Sequence, residues 1–171
     1  AGQDIFAMPW NPLAPRTTPS GLKNPRLAVT ALDKASQTVI DTYQALDIPP
    51  VELRLSNRKI LIGYLTALGV EDITTATRTL DKLDKIGADG VIKGLTEEAG
   101  LSEDIAQKSL ALAEIKSEDT GFYDQVKSLG IQNDLLDEGL DELKFVVENL
   151  SHLPKGAIKV DLSIVRGFDY Y

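Results

Sequence analysis

The spacing of apolar residues predicts a helix near the start of the chain. From residue 27 onward the apolar positions recur at steps close to 3.6, the mark of an amphipathic helix of about 20 residues. These positions are Val29, Leu32, Val39, Ile40, Tyr43 and Leu46. Pro49 and Pro50 end the helix, because proline lacks a backbone N–H and clashes with the preceding turn.

Two other segments alternate apolar and polar residues, and this period of two predicts strands. The first strand lies within residues 51–56, and the second follows Pro154 and Gly156. Their apolar positions are Val51, Leu53 and Leu55 in the first and Ile158, Val160, Leu162 and Ile164 in the second. We expect the two strands to pair, with Arg54 facing Asp161, so that a helical block is inserted between them.

Helical spacing fills the block between the two strands. Polar residues that favour helix starts stand at Asn57, Ser102 and Asn133, and Gly69 and Gly130 stand where helices would end. One stripe of apolar residues is predicted to run as a single helix up to Gly87. Its members are Ile73, Ala76, Leu80 and Leu83. A shorter helix is expected from Gly90 to Ala99.

Residues 1–26 have a different composition from the rest of the chain. Five of the eight prolines fall here, which prevents a regular helix or a central strand. We predict an extended arm or linker, and a disordered leader stays open as the alternative.

Composition excludes several kinds of site. The chain has no cysteine and one histidine, His152, so disulfides, thiolate metal sites and cysteine nucleophiles are ruled out. The net charge of −8, from 26 acidic and 18 basic residues, disfavours a general nucleic-acid coat protein but permits a local basic patch. The longest apolar run is far shorter than the ~20 residues that span a bilayer. We therefore expect no membrane contact, no secretory signal and a cytoplasmic protein.

Most charged groups fit an ordinary solvated surface. Asp81, Asp84 and Asp89 are interpreted in this way, with Asp81 and Lys85 spaced for an ion pair on one helix. His152 is expected to hydrogen-bond carbonyls at the end of the last helix.

A basic trio, Arg54, Arg58 and Lys59, stands where the first strand gives way to a helix. Basic side chains oppose the dipole at a helix N-terminus. Carboxylate partners or a phosphate would justify the trio, and both stay open.

The last six residues are the least ordinary segment. They are Arg166, Gly167, Phe168, Asp169, Tyr170 and Tyr171. Arginine binds phosphate or carboxylate through a planar set of donors, glycine allows close approach, and tyrosine hydroxyls hydrogen-bond small polar ligands. Together these residues suggest a site for a small polar ligand that carries a phosphate or carboxylate, and a frayed strand end stays open as the alternative.

This segment resembles the histidine-specific signature of histidyl-tRNA synthetases, usually Arg-Gly-Leu-Asp-Tyr-Tyr, with Phe168 in place of leucine. Residues 56–60 (Ser-Asn-Arg-Lys-Ile), 80–87 (Leu-Asp-Lys-Leu-Asp-Lys-Ile-Gly) and 112–115 (Leu-Ala-Glu-Ile) are also similar to one branch of that family. The resemblance covers residues 28–171 and leaves residues 1–26 unmatched.

The resemblance implies an α+β, mostly helical fold. Residues 27–56 would supply a helix and a strand of the antiparallel class II catalytic sheet. Residues 57–156 would form the helical insertion domain that approaches the tRNA(His) acceptor stem. Residues 157–171 would form a second strand that ends in the signature.

The resemblance also implies roles for single residues. Arg166 would be the catalytic arginine that contacts the ATP α-phosphate and the histidine carboxylate, while Gly167, Tyr170 and Tyr171 would line the histidine pocket. The complete enzyme would be a homodimer that uses ATP with Mg²⁺, whereas the isolated chain is expected to bind no cofactor and to contain no metal site. For contact with tRNA, the candidates are Lys82, Lys85 and Lys93.

The chain contains no recognisable class II motif 1, 2 or 3 and no anticodon-binding domain. We therefore expect a piece of a histidine–tRNA ligase that is inactive by itself. Two alternatives stay open. One is a non-catalytic class II paralogue, such as a regulatory subunit of histidine biosynthesis, and the other is a free-standing helical interaction domain.

Overall fold

The computed structural model describes residues 34–39, 41–42, 45 and 52–164. Residues 34–39, 41–42 and 45 are helical, in agreement with the first predicted helix. The rest of that helix, the arm at residues 1–26 and the signature at residues 166–171 lie outside the described residues.

Within residues 52–164 the structure has three strands and six helices, so the predicted α+β, mostly helical class is confirmed. The strands are β1 (Leu53–Leu55), β2 (Lys116–Ser117) and β3 (Ile158–Asp161). The helices are α1 (Arg58–Ala67), α2 (Ile73–Leu80), α3 (Leu83–Glu97), α4 (Glu103–Ala113), α5 (Gly121–Ser128) and α6 (Asp134–Asn149).

The strands form one sheet in the order β1-β3-β2. The predicted pairing of β1 with β3 is confirmed, with Leu53 opposite Ile158 and Leu55 opposite Val160. The predicted antiparallel arrangement holds only for β2 against β3, since β1 and β3 run parallel. Parallel neighbours need a crossover connection, and the helical block between β1 and β3 supplies it.

The predicted helix starts are also confirmed. Asn57 accepts a hydrogen bond from the backbone N of Lys59, and Ser102 accepts one from that of Ile105. Asn133 accepts from two backbone N–H groups at the start of α6. These side chains satisfy N–H groups that have no partner inside the helix.

The single helix predicted up to Gly87 is divided in the structure. Helix α2 ends at Leu80 and α3 begins at Leu83, and Gly87 interrupts α3 with φ 71° and ψ 175°. Glycine adopts this backbone conformation without a steric penalty. Asp81 caps the end of α2 whereas Lys85 lies in α3. The predicted one-helix spacing of these two residues is therefore wrong.

Helices α1 and α6 pack against each other along the core. A Cβ atom placed on Gly63 of α1 would lie 2.4 Å from the backbone N of Leu136. One placed on Gly139 of α6 would lie 2.8 Å from the backbone N of Ile60. The two glycines let the helix backbones approach closely.

Among the helices of the described residues, none combines the length and the apolar character needed to cross a membrane.

Candidate functional site

The predicted active-site residues Arg166, Gly167, Tyr170 and Tyr171 lie outside the described residues. What the structure does show is the segment that leads to them. The described part of β3 and its following turn reaches Ile164, two residues before Arg166. The described part of the candidate site therefore consists of β3, the turn that follows it and the two neighbouring strands.

The turn after β3 is held by Asp161. Its Oδ1 accepts hydrogen bonds from the backbone N of Ser163 at 3.1 Å and from the Oγ of Ser163 at 2.6 Å. Its carbonyl oxygen accepts from the backbone N of Ile164 at 3.3 Å. The N–H of Leu162 donates to the carbonyl of Ile115 beside β2. These bonds fix the direction in which the chain leaves the sheet.

The second carboxylate oxygen of Asp161 faces two cations from the neighbouring strands. Arg54 Nη1 of β1 and Lys116 Nζ of β2 each lie 3.3 Å from Asp161 Oδ2. The Asp161 side chain has 0% exposure, while those of Arg54 and Lys116 are 44% and 34% exposed. The predicted approach of Arg54 to Asp161 is confirmed, and the carboxylate is buried between two partly exposed cations.

The same two cations contact a carboxylate of the helical block. Asp84, in the first turn of α3, lies 3.6 Å from Arg54 Nη1 and 3.5 Å from Lys116 Nζ. Its side chain is 61% exposed, so its predicted surface position is confirmed, but it also joins the helices to the sheet. On the other side of Arg54, Glu52 accepts a hydrogen bond from Nε at 3.1 Å and lies near Lys159.

Asp161 is ionised at neutral pH. Burial raises the pKa of this carboxyl, but the hydrogen bonds from Ser163 and the positive charge of Lys116 outweigh burial, so the pKa lies below its ordinary value. The pKa of Arg54 is raised, first by the hydrogen bond to Glu52 and then by the charge of Asp161. Both partners therefore keep their charges over the physiological range.

Arg54 and Lys59 of the basic trio have carboxylate partners. Arg54 pairs as described, and Lys59 Nζ lies 2.7 Å from Glu138 Oε1 and 2.6 Å from Glu142 Oε1. These two hydrogen bonds raise the pKa of Lys59. Of the two hypotheses for the trio, the carboxylate one is confirmed for Arg54 and Lys59. Arg58 is exposed at the start of α1.

All three lysines proposed to contact tRNA are exposed. Lys82 immediately precedes α3 and Lys85 lies in its first turn, so they flank Asp84 along the chain. Lys93 lies beyond the break at Gly87, and its Nζ is 3.9 Å from Glu97 Oε1. The structure places Lys82 and Lys85 beside the charged contact with the sheet and Lys93 farther along α3.

His152 lies where the sequence predicted, with Nδ1 3.0 Å from the carbonyl oxygen of Asn149 at the end of α6. Across the described ranges, no three histidine, cysteine, aspartate or glutamate side chains gather in a group that could hold a metal ion.

The sequence pattern indicated neither Lys116 as a partner of Asp161 nor Asp84 as a partner of Arg54 and Lys116. It also did not indicate that the Asp161 carboxylate is buried. The only signal was the polar alternation of β3, which placed Lys159, Asp161 and Ser163 on one face. Alternation does not show that this face is covered.

No model of a known protein family matches the chain. Among curated proteins, the chain is 47% identical over 133 residues to the histidine–tRNA ligase of Thermobifida fusca, covering 78% of this chain and 30% of that protein. It is 43% identical over 127 residues to the ligase of Micrococcus luteus, covering 74% and 28%. The corresponding protein of Cutibacterium acnes is 38% identical over 150 residues, covering 88% and 32%.

Solved structures share the fold. The histidyl-tRNA synthetase of Nostoc sp. PCC 7120 matches with a TM-score of 0.74 and 24% identity, over 84% of this chain and 35% of that one. A protein of Bacillus halodurans described as an ATP phosphoribosyltransferase regulatory subunit/histidyl-tRNA synthetase matches with a TM-score of 0.57 and 18% identity, over 81% and 37%. At these identities the likeness concerns the fold alone.

The chain spans about a third of the length of the curated relatives, from 28% to 32% of each. Over that span the identity is high and the relatives share one name. The chain therefore belongs to the histidine–tRNA ligase family, as a segment homologous to part of its members.

Proposed function

We propose that this chain is part of an enzyme that activates histidine with ATP and transfers it to tRNA(His). The observation that carries the proposal is the 47% identity over 133 residues to a histidine–tRNA ligase. The signature at residues 166–171 supports it, because an arginine suits the carboxylate of an amino acid and tyrosine hydroxyls can hydrogen-bond a small polar side chain.

In the first step the histidine carboxylate attacks the α-phosphate of ATP, and pyrophosphate leaves. Arg166 offsets the charge that grows on the phosphate oxygens. Tyr170 and Tyr171 select histidine by hydrogen bonds inside the pocket, and Gly167 lets the substrate approach the backbone. In the second step a hydroxyl of the tRNA 3′ end attacks the activated carbonyl, and AMP leaves.

The proposal extends to the remaining features of the complete enzyme. It is a cytoplasmic homodimer, and Mg²⁺ accompanies the ATP. We assign Mg²⁺ to none of the described residues, because they offer no set of ligands for it. Residues 27–56 and 157–171 contribute to the catalytic domain, and residues 57–156 form the insertion that approaches the tRNA.

The runner-up is a non-catalytic paralogue. The fold likeness to the Bacillus halodurans protein, described as both a regulatory subunit and a synthetase, keeps this alternative in view. Histidine-dependent exchange of pyrophosphate into ATP by the complete protein separates the two, since only a ligase catalyses it.

The isolated chain of 171 residues should not catalyse this exchange. Adenylation needs the ATP site of motifs 2 and 3, and neither is recognisable in this sequence. The measurement is pyrophosphate exchange by the purified chain, with a complete histidine–tRNA ligase assayed in parallel. A clear histidine-dependent rate from the chain alone would contradict the proposal that it is an inactive segment.

Replacing Lys82 and Lys85 together by glutamate should weaken the use of tRNA by the complete enzyme. If both lysines contact phosphates, we expect KM for tRNA to rise on the order of tenfold and the salt dependence to weaken. Histidine adenylation should stay unchanged, because neither side chain belongs to the amino acid pocket. The measurement is aminoacylation at several salt concentrations.

A matched control is Lys108→Glu with Lys155→Glu, which changes the net charge equally at two other exposed lysines. If both double variants raise KM for tRNA equally, the effect comes from the change in net charge and not from a contact of Lys82 and Lys85 with tRNA. An unchanged KM in the Lys82 and Lys85 variant would leave these lysines as surface charge only.

A further inference from the structure

We propose that Asp161 is a positioning residue for the signature at residues 166–171, and that Arg54 and Lys116 hold its carboxylate in the orientation this role requires. The inference rests on the proposed function, since it concerns how the active-site segment is placed. Asp161 lies five residues before Arg166 and touches no substrate in this scheme.

Asp161 is the last residue of β3 and anchors the turn that follows. Its Oδ1 accepts both hydrogen bonds from Ser163, and its carbonyl accepts one from Ile164. A rotation of the carboxylate would release the turn at residues 162–164, which precedes the signature in the chain. A misplacement of about 1 Å in a catalytic group costs up to about 10²-fold in rate.

The orientation of the Asp161 carboxylate is determined from both sides. Arg54 on β1 and Lys116 on β2 approach Oδ2 from opposite neighbours of β3, while Ser163 occupies Oδ1. A buried ion pair is weak evidence for a stabilising role, because apolar residues often replace one without loss of stability. At Asp161, both carboxylate oxygens have partners, and these partners come from β1, from β2 and from the turn after β3. Such an arrangement fixes the orientation of the carboxylate, which fits a positioning role better than a purely stabilising one.

Arg54 and Lys116 also contact Asp84 of α3. This contact ties the helical block to the sheet beside the turn that leads to the signature. Asp84 is more exposed than Asp161, so solvent screens its ion pairs more strongly. We expect its removal to have a smaller effect than removal of the Asp161 charge.

The test uses the complete ligase that contains this segment. Asp161→Asn keeps the size of the side chain and an oxygen that accepts from Ser163, but it removes the charge that pairs with Arg54 and Lys116. We expect kcat for pyrophosphate exchange to fall about 10–100-fold, while KM for histidine and ATP changes less than about threefold. The double variant Asp161→Asn with Lys116→Met should lose no more than Asp161→Asn alone, since the two residues act as one unit.

The control for stability is Asp137→Asn, which breaks the ion pair of Asp137 with Lys127 between α6 and α5. It should lower the unfolding midpoint without changing kcat. If Asp161→Asn does the same and kcat stays normal, Asp161 is only structural and the inference is wrong. It is also wrong if KM rises while kcat stays constant.

If Asp161→Asn does not fold, Arg54→Met and Lys116→Met decide by the same criteria, because both side chains are partly exposed. The wild-type enzyme separates this inference from the proposed function. No histidine-dependent exchange by the wild type overturns both. If pyrophosphate exchange is lost in Arg166→Ala but is normal in Asp161→Asn, Arg54→Met and Lys116→Met, this inference is wrong while the proposed function stands.

Discussion

In the complete ligase, replacing Arg166 by alanine is expected to lower kcat for histidine activation on the order of 10²–10³-fold. The guanidinium would contact the α-phosphate, where negative charge increases as the histidine carboxylate attacks. An interaction that strengthens in the transition state affects kcat more than KM. We therefore expect KM for ATP to rise much less than kcat falls.

The measurement is pyrophosphate exchange at varied ATP and histidine concentrations. Arg78→Ala is the matched control, because Arg78 is an exposed arginine of α2 that has no role in the proposed site. It should leave both constants unchanged. An unchanged kcat in Arg166→Ala would remove this arginine from the active site, whatever the family resemblance implies.

The second large effect is expected from Gly63→Ala, which should destabilise the isolated chain by about 3 kcal/mol. The added Cβ would lie 2.4 Å from the backbone N of Leu136 and 2.9 Å from its Cα. Backbone atoms cannot rotate away as a side-chain end does, so α1 and α6 must separate. This separation opens the core around Ile60, Tyr64 and Leu140, all of which are buried.

Urea unfolding of the chain measures this loss as a fall of the transition midpoint. Gly100→Ala is the control, because a Cβ there meets nothing within 4 Å, although φ is +68°. Backbone conformation alone should cost about 1–2 kcal/mol in that variant. If Gly63→Ala costs no more than Gly100→Ala, the helices do not approach as closely as the structure shows.

Local patterns correctly predicted much of the fold. A helix start depends on one side chain and the N–H groups two or three residues later, so Asn57, Ser102 and Asn133 could be identified by spacing alone. The two strands could be recognised by their period of two, and their matching apolar faces predicted that they pair. The approach of Arg54 to Asp161 was predicted from this pairing, although in the parallel register Arg54 lies opposite Lys159 and only its side chain reaches Asp161.

Spacing did not determine how the elements divide or in which direction they run. Alternation is identical in parallel and antiparallel strands, so it could not show that β1 and β3 are parallel. The apolar stripe that continues past Leu80 concealed the end of α2, because a turn of two residues keeps the next helix on the same core. Only the packed structure shows where these elements end.

The proposed catalytic residues were identified from the sequence alone. The signature is a motif of six consecutive residues in a specific order. Such a motif can be recognised in the sequence without a structure. The lysines proposed to contact tRNA were identified from the sequence as well, and the structure adds that all three are exposed.

Other properties depend on residues that are far apart in the chain. Lys116, the partner of Asp161 that was not predicted, lies on strand β2, which is too short for any periodic signal. The need for glycine at position 63 depends on the backbone of Leu136, which lies on another helix. The sequence determined the type of each local element and the family signature, because both are encoded by neighbouring residues. The tertiary structure alone decided strand direction, the close approach of α1 to α6 and the burial of Asp161, because each of these depends on which distant surfaces meet.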